Sequence, residues 1–493
     1  MKARNIGRNT NCIGNIVFTA IMILGISMIP SLLMAIRYKD MTSVFTMLII
    51  SSLSIVIGFI GSRYLTDDIT YIRLDVCYIA TSLTWILMIA LSVLPFYFSG
   101  NGYSLIDSIF EACSGWSTTA ASAIKMNTLP PCLQLWKCSC NWMGGIGIIV
   151  LSVTFLKSWQ FTAQTLVFTE VPGPLFMKST MTFRASYRRI LLIYSLLTIL
   201  QFILLCLFGL PPFHALKTAL SVASTSGLQH FDLATVLAFS PAIKIIITIF
   251  TFFASINFAI FVLAISRKGE RLIKATEFRY LISSLFVVSG VICFIRMASE
   301  PVKNIEKLIL DSFMQVVSFS STSGYIITDA SNWNVLAVTI LVLTSIVGAS
   351  AFSTGGGIKI ARFICAMKSI KYGIYKSIHP HSVKNQKYNG YPVSNNLILK
   401  ALIYVYLFFI TLVFGSFMLS LAGLSLGDSL DFSVAMLTNT GTPAGKLAGD
   451  FLYSGYNGFS KFIMSILMIA GRLEIYPVLI IFSLGFHKTE KKI

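Results

Sequence analysis

Four triplets of Ser, Thr or Asn residues, each ending in a small residue, are the part of this chain that could bind an ion. They are Thr118-Thr119-Ala120, Thr225-Ser226-Gly227, Thr322-Ser323-Gly324 and Asn439-Thr440-Gly441. Each triplet closes a half-polar segment too short to cross a bilayer, near 104–121, 212–228, 307–325 and 426–442. One triplet alone would indicate a helix C-cap with turn residues. Because their small residues lie 107, 97 and 117 positions apart, the four segments indicate an internal repeat.

The chemistry that such a repeat favours is cation binding at membrane depth. Small residues allow backbone carbonyl groups to face a common axis and to replace the hydration shell of an ion. Irregular backbone is tolerated inside a bilayer only where it is buried in protein or lines a wet cavity. The C-terminal ends of four short helices, each with about half a negative charge, would favour a cation at the same place. Acids suit the opposite, N-terminal ends of these helices, at Asp107, at Asp311 and at Asp428 or Asp431, whereas the second segment has His214 and Lys217.

The elements that must position these triplets are membrane spans. The chain has 493 residues, of which 55% are hydrophobic and only 12% charged, and its mean hydropathy is +0.79. A soluble protein carries about twice that share of charge. Ten apolar runs are long enough to be candidate spans, near 13–36, 43–61, 75–98, 141–156, 190–210, 240–265, 280–296, 335–352, 397–424 and 462–485. The sequence therefore predicts an all-α polytopic membrane protein with about ten transmembrane helices.

Basic residues predict the orientation of these spans. The net charge is +19, and the bases cluster in the segments 157–189, 266–279 and 359–388 and in the C-terminal tail. Cytoplasmic loops are the ones enriched in Lys and Arg, so the four short segments open outward and both termini are cytoplasmic. The same bases can contact anionic lipid, which explains the charge without a nucleic-acid partner. The basic N-terminus precedes an apolar run that we interpret as a first spanning helix rather than a cleaved signal peptide.

A glycine-rich stretch and one arginine interrupt the apolar pattern in the second half of the chain. A run of small and polar residues begins within the end of the span 335–352 and continues past it: Gly348, Ser350, Ser353, Thr354, Gly355, Gly356 and Gly357, followed by Lys359. Glycines weaken a helix and permit a loop inside the membrane, although a kinked helix is the alternative. Arg472 lies in mid-span, where a charge costs about 2.5–3.5 kcal/mol or more. We expect it to face the protein interior, near this stretch or near Glu474.

Signatures of soluble enzymes and of bound cofactors are not found in the sequence. The glycine runs lack the strand context of dinucleotide sites, and no Gly-Lys-Ser/Thr phosphate loop occurs. Three of the nine cysteines cluster at Cys132, Cys138 and Cys140, but without a histidine or a second pair they are a weak zinc pattern, and their role is left open. We expect no enzymatic activity and no cofactor.

The motifs together resemble the Trk/Ktr/HKT superfamily of potassium transporters, and most closely its bacterial TrkH-type subunits. The resemblance is carried by the four segments above, by Asn141 to Gly147 (NWMGGIG), by Ser353 to Lys359 (STGGGIK) and by Gly471 to Glu474 (GRLE). It covers nearly the whole chain, and two extra N-terminal spans match the TrkH-type layout.

The resemblance implies a fourfold pseudosymmetric pore whose filter is formed by the twelve triplet residues around potassium ions. One glycine per loop is the family pattern, which corresponds here to Gly227, Gly324 and Gly441, whereas Ala120 replaces the first. In related plant transporters a serine at that place accompanies sodium preference. Potassium is therefore the expected ion, and a sodium or non-selective monovalent cation transporter is the alternative.

The resemblance also implies a gate, a location and partners. The stretch from Gly348 to Gly357, with Lys359 and Arg472, would form an intramembrane loop that blocks the pore below the filter. The protein would act in the bacterial inner membrane, as a homodimer, with a cytosolic TrkA-like nucleotide-binding regulatory subunit. The basic segments 157–189 and 359–388 would be the docking surface for that subunit.

The repeat predicts five parts of the chain. These are two N-terminal helices (1–66), pore repeats 1 (67–180) and 2 (181–275), pore repeat 3 with the gate loop (276–388) and pore repeat 4 (389–493). An ion-coupled secondary transporter of small solutes is a further alternative, but such carriers have two inverted halves rather than four units in one orientation. Whether transport is passive or coupled to protons or sodium is left open.

Overall fold

The computed structural model describes residues 2–65, 74–147, 183–228, 230–258, 261, 275–299, 301, 304–330, 333–381, 387–388, 391–392, 395–447 and 451–483. The described chain is almost entirely helical, which confirms the predicted all-α class. Its one short β-hairpin pairs β1 (Lys387–Tyr388) with β2 (Tyr391–Pro392) in antiparallel register.

The N-terminal part of the chain forms α1 (Lys2–Ser27), α2 (Ile29–Arg37) and α3 (Met41–Tyr64). Asp40 caps α3, because its side chain accepts a hydrogen bond from the Ser43 backbone nitrogen at 3.3 Å. The helices α1 and α3 approach closely, since a Cβ added at Gly58 would lie 2.6 Å from the Phe18 carbonyl oxygen. Small residues allow this kind of close packing between membrane helices.

The remaining helices form four units, in each of which a helix of 24 to 27 residues precedes a shorter helix of 12 to 16 residues and further helices follow. The first unit contains α4 (Leu74–Tyr97), α5 (Leu105–Trp116) and α6 (Pro131–Ile146), and the second contains α7 (Phe183–Leu207), α8 (Pro212–Ala223), α9 (Leu233–Leu237) and α10 (Pro241–Ser255). The third contains α11 (Thr276–Ser299), α12 (Ile305–Ser320), α13 (Val335–Val347) and α14 (Ile360–Ile378), and the fourth contains α15 (Asn395–Leu421), α16 (Leu426–Leu437), α17 (Gly458–Arg472) and α18 (Tyr476–Ser483). The short helices α5, α8, α12 and α16 coincide with the four half-polar segments.

Within the described residues, six stretches of helix are long and apolar enough to cross a membrane, and two further apolar helices, Pro241–Ser255 and Val335–Val347, are shorter. Four of the predicted spans differ from the helices observed. Over 141–156 the helix begins ten residues earlier, at Pro131, and ends at Ile146, while residues 148–156 lie outside the described part. In the spans predicted to end at residues 265 and 352, the observed helices end earlier, at Ser255 and Val347.

The last predicted span, 462–485, is also divided. Its helix α17 ends at Arg472, and α18 begins at Tyr476. Glu474 and Ile475 between them have φ of 62° and 66°, a conformation that an α-helix cannot contain. The hydropathy of a long window does not show where such a break falls, because the longer segments on both sides of it are apolar.

The four units are arranged in a ring. Each of the short helices α5, α8 and α12 packs against the long helices of its own unit and against one long helix of the preceding unit, α17, α6 and α10 respectively. A 3₁₀ turn (Ala444–Lys446) links α16 to α13 of the third unit. The ring closes at α5 and α17, where Lys461 Nζ lies 2.6 Å from Asp107 Oδ1.

Candidate functional site

All four short helices end in the same backbone geometry. The residue that opens each triplet has a left-handed φ, at Thr118 (56°), Thr225 (56°), Thr322 (60°) and Asn439 (58°). Its backbone nitrogen donates to the carbonyl oxygen three residues earlier at 3.0–3.1 Å in every unit. A β-branched residue with positive φ is an outlier, and backbone strain of this kind costs about 1–3 kcal/mol and clusters at functional sites. Its recurrence at three threonines identifies the triplets as a special site.

A second feature common to the four units was not predicted from the sequence. The residue before each triplet is a Ser or Thr, and its hydroxyl oxygen lies close to the hydroxyl oxygen of the middle triplet residue. The pairs are Ser117–Thr119 at 2.7 Å, Ser224–Ser226 at 3.2 Å, Ser321–Ser323 at 3.0 Å and Thr438–Thr440 at 2.8 Å. The signal in the sequence was a hydroxyl residue at the same offset in all four segments.

The small residues that close the triplets do not all share one conformation. Gly227, Gly324 and Gly441 have φ of 78°, 64° and 75°, whereas Ala120 keeps a negative φ. Glycine adopts positive φ without steric cost, while a Cβ makes that conformation unfavourable. The exception seen in the sequence is therefore also a difference in backbone conformation.

The four triplets meet at one place, in cyclic order. A Cβ added at Gly227 would lie 2.6 Å from Ser323 O and 2.8 Å from Ala120 Cβ. One added at Gly324 would overlap the Thr440 carbonyl oxygen, and one at Gly441 would overlap the Ala120 backbone. Each triplet therefore touches its neighbours so closely that only glycine fits at three of the four small positions.

Side chains also join neighbouring triplets. Thr442 Oγ1 donates to the Gly324 carbonyl oxygen at 2.6 Å. Asn439 Nδ2 donates to Thr119 Oγ1 at 3.1 Å. These contacts bring together residues that are 118 and 320 positions apart in the chain.

The glycine-rich stretch forms a loop rather than a kinked helix. α13 ends where Gly348 takes a φ of 73°, and positive φ returns at Phe352 (60°), Gly357 (77°) and Lys359 (77°) before α14 begins. Backbone hydrogen bonds hold the loop, from Ser350 N to Ser255 O at 3.1 Å and from Ile358 N to Ile346 O at 3.0 Å. The Ser353 hydroxyl donates within the loop to Ser350 O at 2.6 Å.

This loop contacts the C-terminal ends of the short helices. Thr354 Oγ1 donates to Ala223 O at 3.1 Å, and Gly356 N donates to Thr322 Oγ1 at 2.6 Å. A Cβ at Gly355 would lie 2.6 Å from Ser321 O, and one at Gly356 would overlap Thr438 O. The loop thus lies directly against the second, third and fourth units, where their triplets begin.

Two cations hold the loop from the other side. Lys359 Nζ donates to the Gly355 carbonyl oxygen and, at 3.4 Å, to Ser353 O. Arg472 Nη1 donates to Thr354 O at 2.7 Å, while its Nη2 donates to Gly144 O and, at 2.7 Å, to Gly145 O. Arg472 was expected near the glycine-rich stretch or near Glu474, and it contacts the stretch through Thr354 O; its other two hydrogen bonds here are to the C-terminal end of α6.

Glu474 has a different partner, which sequence reasoning missed. Arg362 Nη2 lies 2.5 Å from Glu474 Oε2, and its guanidinium carbon lies 3.7 Å from the centre of the Tyr404 ring. Both charged side chains are nearly buried, at 10% and 7% exposure. Since 112 positions separate the two residues, no local pattern could have paired them.

The triplets separate two cavities. One, called the outer cavity here after the orientation predicted from the basic residues, is lined by Ala120, Gly324 and Gly441 together with Lys125 and Asp232. The inner one is lined by the glycine-rich loop, Asn439, Arg472 and Glu474. Triplet residues therefore line both cavities, and the glycine-rich loop lines the inner one.

The other polar residues that the sequence analysis considered do not join this site. Cys132, Cys138 and Cys140 are buried thiols on α6. In the described part of the chain no group of three or more metal-ligating side chains occurs. Of the basic segments, 157–182 and 266–274 lie outside the described residues, whereas α14 carries the exposed Lys371 and Lys376.

Comparisons with known proteins identify the family and the fold. The model of the TrkH family, described as cation transport protein, matches residues 45–491. The potassium uptake protein TrkG of Escherichia coli K12 is 28% identical over 94% of this chain and 96% of its own length. TrkH of Salmonella typhimurium is 29% identical over 82% of this chain and 84% of its own length. The crystal structure of the potassium transporter TrkH from Vibrio parahaemolyticus has the same fold, with a TM-score of 0.86, 23% identity, and coverage of 97% of this chain and 99% of that one.

Proposed function

We propose, because this chain belongs to the TrkH family of cation transport proteins, that it conducts potassium ions across a membrane through the ring of four triplets. In this proposal an ion leaves the outer cavity, sheds water as backbone and hydroxyl oxygens of the triplets replace it, and reaches the inner cavity. The observation that carries the proposal is the cyclic contact of four triplets with the same left-handed entry residue. The named potassium transporters among its relatives support potassium as the ion.

Potassium is preferred to the alternatives for two reasons. Glycine with positive φ closes three of the four triplets, in agreement with the family pattern. The chain also has four units whose triplets form one ring, which favours a pore, because secondary carriers are typically built from two inverted halves. A pore for sodium, or one that does not select among monovalent cations, is the second candidate. The reason is Ala120, because its triplet does not have the positive φ with which the other three triplets end.

The loop from Gly348 to Lys359 is proposed as the gate. It lies across the inner side of the triplets and is held by backbone hydrogen bonds and by Arg472. Glycines allow it to adopt more than one conformation, so that withdrawal of the loop would open the route. Residues 348–359 and Arg472 would therefore control the rate of flux, while the triplets control which ion passes.

Partners and location are also proposals. We infer a homodimer in the bacterial inner membrane, with both termini cytoplasmic, regulated by a TrkA-like nucleotide-binding subunit at the basic segments. The surface that we propose for the dimer is an apolar stripe on α14. It consists of Met367, Ile370, Ile374 and Ile378, whose side chains are 51% to 69% exposed. Light scattering of Ile370→Asp/Ile374→Asp in detergent tests the dimer: a mass unchanged from that of a wild-type dimer would contradict this surface.

Ion flux into liposomes tests the function. Purified protein is reconstituted, and uptake of potassium, sodium and N-methyl-D-glucamine is compared at the same driving force. We expect potassium uptake faster than sodium uptake and no uptake of the organic cation. Equal uptake of potassium and sodium would favour the non-selective alternative, and passage of the large organic cation would exclude the filter.

A further inference from the structure

A buried glutamate connects the end of α10 with the β-hairpin. Glu277, the second residue of α11, is 0% exposed. Its Oε1 accepts a hydrogen bond from the Tyr388 hydroxyl of β1 at 2.7 Å, and its Oε2 accepts one from Asn257 Nδ2 at 3.3 Å. Asn257 and Tyr388 are buried as well, at 1% and 3% exposure. One carboxyl group therefore joins partners that lie 20 and 111 positions away from it in the chain.

The segment around Asn257 is hydrogen-bonded directly to the glycine-rich loop. Three bonds join the two segments, from Phe258 N to Phe352 O at 3.1 Å, from Ser350 N to Ser255 O at 3.1 Å and from Thr354 Oγ1 to Ala254 O at 3.2 Å. Asn257 lies within this segment, next to the residues that make the bonds. Because α10 ends at Ser255, the segment is no longer held by its own helix. The Asn257 side chain thus supports the backbone on which the loop rests.

The hairpin is also attached to the helix that follows the loop. Lys368 on α14 donates from Nζ to the Lys387 carbonyl oxygen at 2.9 Å. The same Nζ lies 5.7 Å from the centre of the Tyr388 ring. The orientation predicted from the basic residues places α14 and the hairpin on the cytoplasmic side. β1 is consequently held at two points, by a buried hydroxyl group inside and by an exposed lysine outside.

Packing alone does not explain a glutamate at this position. Ile256, Leu281 and Tyr388 belong to one apolar cluster around it, in which an apolar side chain would avoid the cost of burying a polar one. Glu277 also lies at the start of a helix long enough to span the membrane, and acids within such helices usually mark functional sites. It lines neither of the two cavities. Its effect on an ion must therefore pass through its hydrogen-bond partners.

We propose that Glu277 is a positioning residue of the gate. Through Asn257 it holds the end of α10 against the glycine-rich loop, and through Tyr388 it makes this hold depend on the hairpin. Displacement of β1 from α11 would release the loop. Contacts that exist only while the loop blocks the pore favour that state by their own free energy. This inference rests on the proposed function, because it assigns the means by which the proposed gate stays closed.

Glu277→Gln and Tyr388→Phe test this role, because each preserves shape and removes hydrogen-bonding capacity. Glutamine has a single acceptor oxygen and cannot accept both bonds. We expect potassium flux into liposomes to rise roughly two- to tenfold in each variant, as for the loss of one hydrogen bond. The potassium-to-sodium ratio should not change. The double variant should exceed neither single variant, since both act through one carboxyl group, whereas a merely structural role would lower flux together with abundance.

The matched controls are Glu306→Gln and Tyr280→Phe. Glu306 is exposed in the first turn of α12, and Tyr280 on α11 is 48% exposed, so both should give wild-type flux. Unchanged or lower flux in folded Glu277→Gln and Tyr388→Phe would overturn the inference. A wild-type protein that conducts no monovalent cation would overturn the proposed function instead. If Glu277→Gln does not reach the membrane, Tyr388→Phe decides alone, because it removes only one oxygen atom from the hairpin.

Discussion

Arg472 donates a hydrogen bond of 2.7 Å to the backbone carbonyl oxygen of Thr354. Its second terminal nitrogen binds Gly144 O and Gly145 O at the end of α6, so that one guanidinium group connects the glycine-rich loop with the first unit. Carbonyl oxygens at a helix C-terminus favour a cation, which stabilises Arg472 in this position. The loop is consequently tied to a helix that is distant from it in sequence.

Removal of Arg472 should therefore loosen the loop. We expect Arg472→Ala to raise the rate of potassium flux in liposomes several-fold, since two or more charge-assisted hydrogen bonds of about 1.5–3 kcal/mol each are lost. Arg472→Lys keeps the charge but not the two-sided geometry, and it should give an intermediate rate. Flux that is unchanged or lower, at normal abundance in the membrane, would contradict the gating role.

Gly324 should not tolerate a side chain. The change Gly324→Ala places a Cβ against the Thr440 carbonyl oxygen at a residue with φ of 64°, which combines a steric overlap with an unfavourable backbone conformation. We expect at least roughly a tenfold loss of potassium flux, equivalent to about 1.4 kcal/mol. Gly290→Ala is the control, because nothing lies within 4 Å of a Cβ at that helical position. Equal flux in the two variants would argue against a filter at Gly324.

Ala120→Gly restores the family residue in the first triplet. We expect the potassium-to-sodium ratio to rise, since glycine allows this triplet to adopt the positive φ of the other three. Competition of sodium with labelled potassium uptake measures the change. A ratio that stays constant or falls would show that the alanine is not the cause of any asymmetry in selectivity.

The Arg362–Glu474 pair should matter more for stability than for selectivity. Removing one partner of a nearly buried pair leaves the other charge uncompensated, which costs about 3–5 kcal/mol. We therefore expect Glu474→Gln to lower markedly the temperature at which the purified protein loses its folded state. Lys125→Ala is the comparison, because its pair with Asp232 spans 3.6 Å and the two side chains are 49% and 34% exposed. Such pairs contribute at most about 1 kcal/mol, so a loss as large in Lys125→Ala would contradict this reasoning.

Much of the site could be predicted from the sequence because its signals are local. Hydropathy over some twenty residues indicates a membrane span, and the short segments stood out between such spans. The triplets were visible because a pair of Ser, Thr or Asn residues followed by a small residue recurs at the end of all four short segments. The division of the chain into five parts stays a prediction.

The breaks within the long spans were less predictable: glycines indicated a loop after α13, with a kinked helix as the alternative, whereas the break after Arg472 was not predicted. α13 stops at Val347, and α17 stops at Arg472, each before residues that take positive φ. Glycine permits such a conformation but does not require it, and the apolar residues around both breaks satisfy hydropathy equally well in a helix or a loop. Packing against the short helices decides between the two.

The amino-acid sequence by itself determined the helical membrane class, the fourfold repeat and the exception at Ala120. Only the tertiary structure decided which charges meet: Arg472 with the loop, Arg362 with Glu474 and Lys137 with Glu111. The physical reason is that helix formation and capping depend on neighbours within a few residues, whereas a buried charge finds its partner among groups that the folded ring brings together from distant parts of the chain. The first unit combines the two, since Ala120 is fixed by the sequence, whereas the Glu111–Lys137 pair that binds the chain just after it is formed by tertiary structure.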